Sequence, residues 1–360
     1  MSEAYQTVRA AFATMRREGP RRHRDIAKIL SISEAELLAA HCGPIADGEV
    51  LTLEATLLNT QWPEQIASIA SLGSVMALTR NPSCVHEKIG IYHPVSQAGD
   101  VGLVLGEAID VRLFYKNWHI GFAVIELTAR GVQHSLQFFD RYGVAIHKIF
   151  LRPESQIAAF EEIKNRFAAP LQSPMISISP HAWAKPERND AEIDVPGLQQ
   201  DWIAMRDTHD FFLILKKYDV SRLQAFRLIG AAYAQQVKAG DFRRVLGLAS
   251  DKKIQVMVFV SNSGVIQIHT GMIHNISVTQ GWLNVLDSDF NLHLRQDCIS
   301  SAWIVRKPTV DGVVTSLELF DHAGEVITMI FGQRKPGFPE NIQWRALLDE
   351  LCTGGRVCAA

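Results

Sequence analysis

A histidine falls within an apolar, aromatic face of a predicted helix. Residues 198–217 have helical spacing, and His209 shares one face of this helix with four apolar residues: Trp202, Met205, Phe212 and Leu213. A buried imidazole needs partners for its ring nitrogens, so one interpretation is a core histidine bonded to a carbonyl group. The other is an axial ligand to the iron of a flat hydrophobic cofactor, because neutral imidazole binds iron and apolar walls hold a macrocycle.

A predicted strand over residues 109–116 carries an arginine beside an aromatic ring. The alternation of a strand places Asp110, Arg112 and Phe114 on one face. An arginine next to a phenylalanine is suited to lie over a bound ligand. The alternative is an exposed ion pair between Arg112 and Asp110, and the spacing alone favours the ion pair.

Three further cations are candidates for binding carboxylates. Lys307 and Arg334 lie at the ends of predicted strands. Arg222 lies at the start of a predicted helix, where a positive charge opposes the helix dipole. A separate function, such as binding a carboxylate, would explain why an arginine stands at this helix start. Solvated surface charge is the alternative for all three.

Residues 24–37 resemble a helix-turn-helix and follow a cluster of basic residues. The net charge of the chain is −2, so no global field attracts nucleic acid. A helical hairpin packed on a sheet is therefore favoured over DNA binding. The sequence has no glycine-rich nucleotide loop and no HExxH motif, and its remaining histidines lack metal-ligand spacing.

The sequence uses one architecture twice. Residues 75–150 align with residues 256–331 at a constant offset of 181 and without a gap. The matches are mostly glycines, apolar residues and turn residues, including Asn81 with Asn262, Gly90 with Gly271, Leu113 with Leu294 and Gly143 with Gly324. These residue types set backbone and core. We expect functional residues at the polar positions that differ between the two copies. One example is Arg112, whose counterpart in the second copy is His293.

The hydrophobic period predicts helices first and strands after them in each half. In the first half we predict helices at 4–17, 23–30, 33–40, 62–71 and 155–167, and strands at 75–80, 84–92, 101–106, 109–116, 119–127, 132–140 and 144–152. In the second half we predict helices at 198–217, 221–238 and 341–351, with strands between 254 and 333. Ser33 and Glu36 form a predicted capping box, and Ser221 a predicted N-cap.

Segregated helices and consecutive hairpins indicate an α+β fold, a tandem duplication with a large antiparallel sheet flanked by helices in each half. We expect an N-terminal repeat at 1–168, a proline-rich linker at 169–196 and a C-terminal repeat at 197–360. Five widely spaced cysteines suit a reducing compartment. The start of the chain has no apolar segment typical of a signal peptide, so we expect a cytoplasmic protein without membrane insertion.

The sequence resembles the haemin-degrading factor family, the HemS/ChuS/PhuS type of bacterial haem-binding proteins, over nearly the whole chain. The motifs that carry the resemblance are Asp207-Thr208-His209-Asp210-Phe211-Phe212, Gln224-Ala225-Phe226-Arg227, Ala302-Trp303-Ile304-Val305-Arg306-Lys307-Pro308-Thr309, Gly332-Gln333-Arg334 and Val111-Arg112-Leu113-Phe114. So many motifs in the same order make the resemblance specific.

The resemblance implies a haem site on the C-terminal half, between a helix and the sheet. It makes His209 the axial ligand of the iron, with its second ring nitrogen expected on a carbonyl or water. The other implied haem contacts are a distal arginine at Arg112, a distal aromatic at Phe114, propionate-binding cations at Arg222, Lys307 and Arg334, and a pocket wall at Phe259. Leu223 and Phe331 depart from the family pattern, since some members have glutamine and tyrosine there.

Three functions follow as hypotheses. The first is an enzyme of a haem-uptake pathway that degrades haem and releases its iron, with electrons from an external donor and Arg112 acting on the distal side. The second is a carrier that delivers haem to a separate haem oxygenase, with a haem transporter as a further possible partner. The third is a haem-responsive DNA-binding protein that uses residues 24–37.

Overall fold

The computed structural model describes residues 2–19, 21–44, 52–180, 186–335 and 337–354. The elements of the first half are α1 Ser2–Glu18, α2 His23–Ile29, α3 Glu34–Ala39, β1 Leu53–Leu58, α4 Trp62–Ser68, β2 Val75–Arg80, β3 Cys84–Gly90, β4 Val95–Ala98, β5 Val101–Leu105, β6 Asp110–Phe114, β7 Ile120–Thr128, β8 Gly131–Phe139, β9 Ala145–Leu151 and α5 Ile157–Phe167. Every helix and strand predicted for this half is confirmed within a few residues. The sequence patterns did not predict β1 and β4.

The second half repeats this order with a different set of starting helices. Its elements are α6 Val195–Ile203, α7 Asp210–Tyr218, α8 Arg222–Leu228, β10 Ala234–Val237, α9 Asp241–Asp251, β11 Val256–Ser261, β12 Val265–Gly271, β13 Ile276–Thr279, β14 Trp282–Leu286, β15 Phe290–Arg295, β16 Ser301–Thr309, β17 Gly312–Phe320, β18 Val326–Gly332 and α10 Ile342–Gly354. None of the described helices has the length and apolarity that a membrane crossing requires.

The strands confirm the duplication. Adding 181 to the bounds of β2 gives those of β11, and the match continues to β9 and β18 with a one-residue difference only at β15. β1 and β10 also begin 181 residues apart, so the repeat extends further toward the N-terminus than the sequence alignment. Gly143 and Gly324, at φ 71° and 79°, take the left-handed conformation expected of the matching hairpin turns.

Two predicted helices differ from the structure. The helix predicted at 198–217 is divided into α6 and α7, because the side chains of Asp207 and Asp210 bond to the backbone between them and compete with helical bonding. The helix predicted at 221–238 ends at Leu228. Gly230 then takes a φ of 89°, and β10 follows as a strand paired with β16.

The chain forms an α+β fold with two large antiparallel sheets, and it divides into two compact units. The first unit comprises residues within 1–80, 87–182 and 262–267, and it contains the strand runs β1-β7-β8-β9-β2 and β4-β5-β6. The second comprises residues within 81–86, 183–261 and 268–360, and it contains the runs β10-β16-β17-β18-β11 and β13-β14-β15. Each unit therefore includes a six-residue segment from the other half of the chain.

Matching asparagines fix these exchanged segments. Each side-chain amide donates to two main-chain carbonyl groups whose positions also differ by 181: Ser261 and Ile327 for Asn81, and Arg80 and Ile146 for Asn262. The four N···O distances lie between 2.7 and 3.3 Å. Each Oδ1 also accepts from two backbone N–H groups of the following turn. One side chain thus satisfies four backbone groups in each unit.

Helices pack on both faces of the strands in the second unit. Trp303 and Val305 of β16 pack against α6–α8, whereas the alternate residues Ala302 and Ile304 pack in a cluster with α9 and α10. This alternation follows from the period of two in a strand. The cluster with α6–α8 supports the helices from which the candidate site is built.

In the first unit, α2 and α3 contain the helix-turn-helix-like residues 24–37. Ile26, Leu37 and Leu38 are fully buried in one cluster with Leu53 of β1 and Phe122 of β7. Ser33 caps α3 and forms the predicted capping box with Glu36. The two helices are therefore a hairpin packed on strands, as the sequence analysis favoured.

We expect Asn81→Ala and Asn262→Ala each to lower the free energy of unfolding by about 2–3 kcal/mol, because four backbone groups lose their partner in either variant. Urea denaturation followed by circular dichroism measures this loss. Gln97→Ala, at an exposed glutamine of β4, is the control and should change stability by less than about 0.5 kcal/mol. Losses in the asparagine variants as small as that of the control would contradict the role given to these side chains.

Candidate functional site

His209 lies at the start of α7 and points away from the core. Its side chain is 90% exposed. Trp202 and Met205 are buried in the cluster of α6–α8, whereas Phe212 and Leu213 are exposed. The single apolar face predicted from the spacing is therefore wrong, and so is the core-histidine interpretation.

The loop that carries His209 is held by side chain–backbone hydrogen bonds. Asp207 Oδ1 accepts from the His209 backbone N–H at 2.8 Å, and Asp210 Oδ2 accepts from the backbone N–H groups of Arg206 and Asp207 at 3.0 Å. The backbone N–H of Val310, in the turn between β16 and β17, donates to the Arg206 carbonyl at 3.0 Å. The loop is thus fixed both by its own side chains and by the neighbouring hairpin.

The His209 imidazole is oriented by a carboxylate. Its Nδ1 lies 2.5 Å from Asp207 Oδ1, in place of the expected carbonyl or water. The hydrogen bond from the His209 backbone, with a further one from the ring, lowers the pKa of Asp207. Nε2 has no protein partner among the residues that the structure describes. A ring held at Nδ1 by an acceptor, with Nε2 open, is the arrangement typical of a metal-ligating histidine.

A buried carboxylate joins two of the predicted cations. Glu318 of β17 is fully buried, and its Oε1 accepts from Lys307 Nζ at 2.9 Å and from Ser316 Oγ at 2.7 Å. Its Oε2 accepts from Arg222 Nη1 at 2.5 Å. Arg222 and Lys307 are therefore not separate surface charges but parts of one ion cluster.

The electrostatics of this cluster favour its charged form. Burial alone would raise the pKa of Glu318, but Arg222 and Lys307 lower it to about 2. Burial lowers the pKa of Lys307, and Glu318 opposes that shift. The carboxylate and the ammonium group each stabilise the charge of the other where water is excluded.

Aromatic rings surround the two cations. The ring of Phe211, in the first turn of α7, has its centroid 4.7 Å from Arg222 Cζ and 4.6 Å from Lys307 Nζ. Phe331 of β18 lies 5.9 Å from Lys307 Nζ and packs edge-to-face on Phe259 of β11 at 5.0 Å. Phe259 and Phe331 are half-buried. Together they form a partly open apolar surface beside the ion cluster.

Arg334 lies close to the loop of His209. Arg334 Nη2 is 3.6 Å from Asp311 Oδ2, and Asp311 also accepts from the Gly337 backbone N–H at 3.0 Å. The Arg334 charge is one of the groups that lower the pKa of Asp207. The structure thus brings Arg222 and Lys307 together on Glu318, and it places Arg334 near the histidine loop. Phe259 lies two strands away from Glu318 in the same sheet, beyond Met329.

Arg112 and Phe114 belong to the first unit, on β6. They share one strand face as predicted, and the opposite face is formed by the fully buried Val111 and Leu113. Arg112 forms an ion pair with Asp110. Burial raises the pKa of Asp110, and Arg112 opposes this shift. The ion pair that the spacing favours is therefore present, but it is partly buried rather than exposed, and about a third of the Arg112 side chain remains exposed.

Sequence reasoning missed Glu318. Its counterpart in the first repeat is Gln137, and the counterpart of Lys307 is Glu126. Both positions differ in charge between copies whose core residues agree, and that difference was the available signal. Leu223 and Phe331, which depart from the family pattern, are partly buried, and both make apolar contacts.

Comparison with known proteins gives the same assignment along most of the chain. A family model described as the haemin-degrading HemS.ChuX domain matches residues 31–167 and 219–351. The hemin transport protein HmuS of Yersinia pestis is 38% identical over 329 residues, which cover 91% of this chain and 92% of HmuS.

Two solved structures match nearly the whole chain. Holo-PhuS, a heme-binding protein from Pseudomonas aeruginosa, is 40% identical with a TM-score of 0.92, covering 97% of this chain and 99% of PhuS. The heme-degrading enzyme ChuS of Escherichia coli O157:H7 is 34% identical with a TM-score of 0.87, also covering 97% of this chain and 99% of ChuS.

Acid should weaken the second unit through Glu318. The pKa of its carboxyl is about 2 in the folded chain against an ordinary value of 4.5, so its contribution is complete above about pH 4.5 and is lost as the pH falls toward 2. We expect the free energy of unfolding to fall over this range in the wild type and to fall less in Glu318→Gln. Urea titrations at pH 7, 4 and 3 measure both slopes, and equal slopes would contradict the prediction.

Proposed function

Because the chain belongs to the haemin-degrading HemS/ChuX family, we propose that it binds haem in the second unit, with His209 Nε2 as the axial ligand of the iron. The observation that carries this proposal is the His209 imidazole itself. It is exposed, oriented at Nδ1 by Asp207, and open at Nε2. Neutral imidazole with a fixed second nitrogen is the common protein ligand of haem iron.

The cations of the same unit suit the two propionates of haem. Arg222 makes its hydrogen bonds to the described residues from Nη1, so its Nε–Nη2 edge is left for a bidentate pair with a carboxylate. Arg334 holds Asp311 only at 3.6 Å, and its charge lies near the His209 loop. Phe259 and Phe331 offer an apolar surface to the macrocycle. Lys307 is buried and contributes its charge to this group.

We further propose that haem is degraded at this site with release of iron, in the cytoplasm and with electrons from an external donor. Bound haem supplies the oxygen chemistry at its iron and at the edge of its ring. The family resemblance also assigns two residues to this reaction, Arg112 as a donor of hydrogen bonds and Phe114 as a group that excludes bulk water. The name of ChuS, a heme-degrading enzyme, supports this choice.

A second candidate is a carrier that passes haem to a separate haem oxygenase, after receiving it from a transporter. The exposure of His209 favours this function, because a ligand on an open loop is easier to release than one enclosed in a core. The name of HmuS, a hemin transport protein, points the same way. Both functions use the same axial ligand and the same cations.

A haemin titration of the wild type and His209→Ala tests the site. We expect a Soret band that saturates near one haem per chain in the wild type, and a shifted or lost band in the variant because the axial nitrogen is removed. His322→Ala, at an exposed turn histidine of the same unit, should match the wild type. An unchanged spectrum in His209→Ala would assign the ligand to another residue.

Turnover with a reductant, in the presence of catalase, separates the enzyme from the carrier. Enzymatic cleavage persists when catalase removes free peroxide, whereas peroxide-driven side chemistry stops. We expect Arg112→Ala to lower the cleavage rate roughly 100-fold while haemin still binds, as for other lost charge-stabilising donors. Arg130→Ala, in the exposed turn between β7 and β8, is the control. A wild type that binds haemin and never cleaves it would favour the carrier.

A further inference from the structure

The carboxylate of Glu318 has no part in the proposed function as stated, although it contacts two of the residues that carry it. We propose that Glu318 is a positioning residue for the carboxylates of the ligand. It holds Arg222 through Nη1, so that the other edge of the guanidinium makes no hydrogen bond to the described residues, and it holds Lys307 beside Arg222. This inference rests on the proposed function and deepens it.

The contacts of Arg222 support this role. Both of its hydrogen bonds in the second unit start from Nη1, to Glu318 Oε2 at 2.5 Å and to Met329 Sδ at 2.6 Å. Nε and Nη2 have no partner within the described parts of the protein. Those two N–H groups point in parallel and form the edge that pairs bidentately with a carboxylate. Glu318 therefore fixes the guanidinium without forming hydrogen bonds to Nε or Nη2.

The same carboxylate is linked to the loop of the axial ligand. Phe211 contacts both of the cations that Glu318 holds, at 4.7 Å from Arg222 Cζ and 4.6 Å from Lys307 Nζ. Phe211 follows His209 by two residues, in the first turn of α7. The position of the cations and the position of α7 thus depend on one another through a single ring.

The first repeat lacks this arrangement. Gln137 stands at the position of Glu318 and donates to Ser135, the counterpart of Ser316, at 3.0 Å. Glu126 stands at the position of Lys307 and accepts from Arg16 and His23 of the helical region. The backbone of the repeat therefore does not require a carboxylate here. This favours a role in the function of the second unit over a role in the shared fold.

The test compares two ligands in wild type and Glu318→Gln. Haemin carries two free carboxylates, and its dimethyl ester carries none but keeps the iron and the macrocycle. We expect Glu318→Gln to weaken haemin binding about tenfold, because the amide no longer fixes the cations, and to change binding of the ester less than about twofold. The readout is the ratio of the two dissociation constants from Soret titrations.

Glu34→Gln is a matched control. Glu34 of the first unit is also a buried carboxylate that holds an arginine and a lysine, Arg80 and Lys148, and these cations lower its pKa to about 2 against the effect of burial. The variant should lose stability much as Glu318→Gln does. Its ratio of haemin to ester affinity should equal that of the wild type.

Ser316→Ala covers the case in which Glu318→Gln does not fold. It keeps every charge of the cluster and removes only the 2.7 Å hydrogen bond to Glu318 Oε1. We expect a two- to fivefold loss of haemin affinity, estimated from the loss of about one hydrogen bond, with ester affinity unchanged. A variant that binds both ligands as the wild type does would overturn the proposal.

Other results would overturn it as well. Equal losses for haemin and its ester would make Glu318 purely structural. Tighter haemin binding by Glu318→Gln would make the carboxylate a competitor of the ligand. If Glu34→Gln changed the ratio of haemin to ester affinity as much as Glu318→Gln does, the effect would not be specific to Glu318. A folded wild type that binds neither ligand would instead refute the proposed function, and with it this inference.

Discussion

The architecture depends on four hydrogen-bonded groups around each of two asparagines. Asn81 and Asn262 hold a segment of one repeat against strands of the other within a unit, through carbonyl groups that are themselves related by the repeat. A side chain with two donors and an acceptor is the smallest group that satisfies this set. An insertion directly before either asparagine would move its amide away from these carbonyl groups.

On this repeated framework, the two copies differ in how they place charge. The second unit has Lys307 and Glu318 where the first has Glu126 and Gln137, so the carboxylate lies on a different strand in each copy and binds different basic side chains. The polar candidates share a further property. His209, Arg112, Arg222, Lys307 and Arg334 each lie beside an acidic side chain of the protein. An anionic ligand would therefore meet cations that are already oriented.

The strands were predictable because apolar and polar residues alternate along them, and because the offset of 181 repeats the same pattern in both halves of the chain. The same offset also relates helices: the helix predicted at 62–71 corresponds to residues 243–252, close to α9. The helix at 198–217 failed for a local reason, since its apolar spacing continues through Asp207 and Asp210, whose side chains bond to the backbone instead. Glu318 could not be singled out from spacing, because its partners come from another strand and from α8. Its burial depends on packing that no local pattern contains.

The ion cluster also limits how this sequence can change. Replacing Glu318 alone would leave two cations poorly compensated away from water, and replacing Lys307 alone would weaken the hold on the carboxylate; breaking a buried pair in this way costs about 3–5 kcal/mol. Substitutions at Arg222, Lys307 and Glu318 are therefore not independent of one another. During neutral divergence, these three residues must change together or remain unchanged. Among descendants of this duplicated gene, these three positions should therefore covary as one inherited trait.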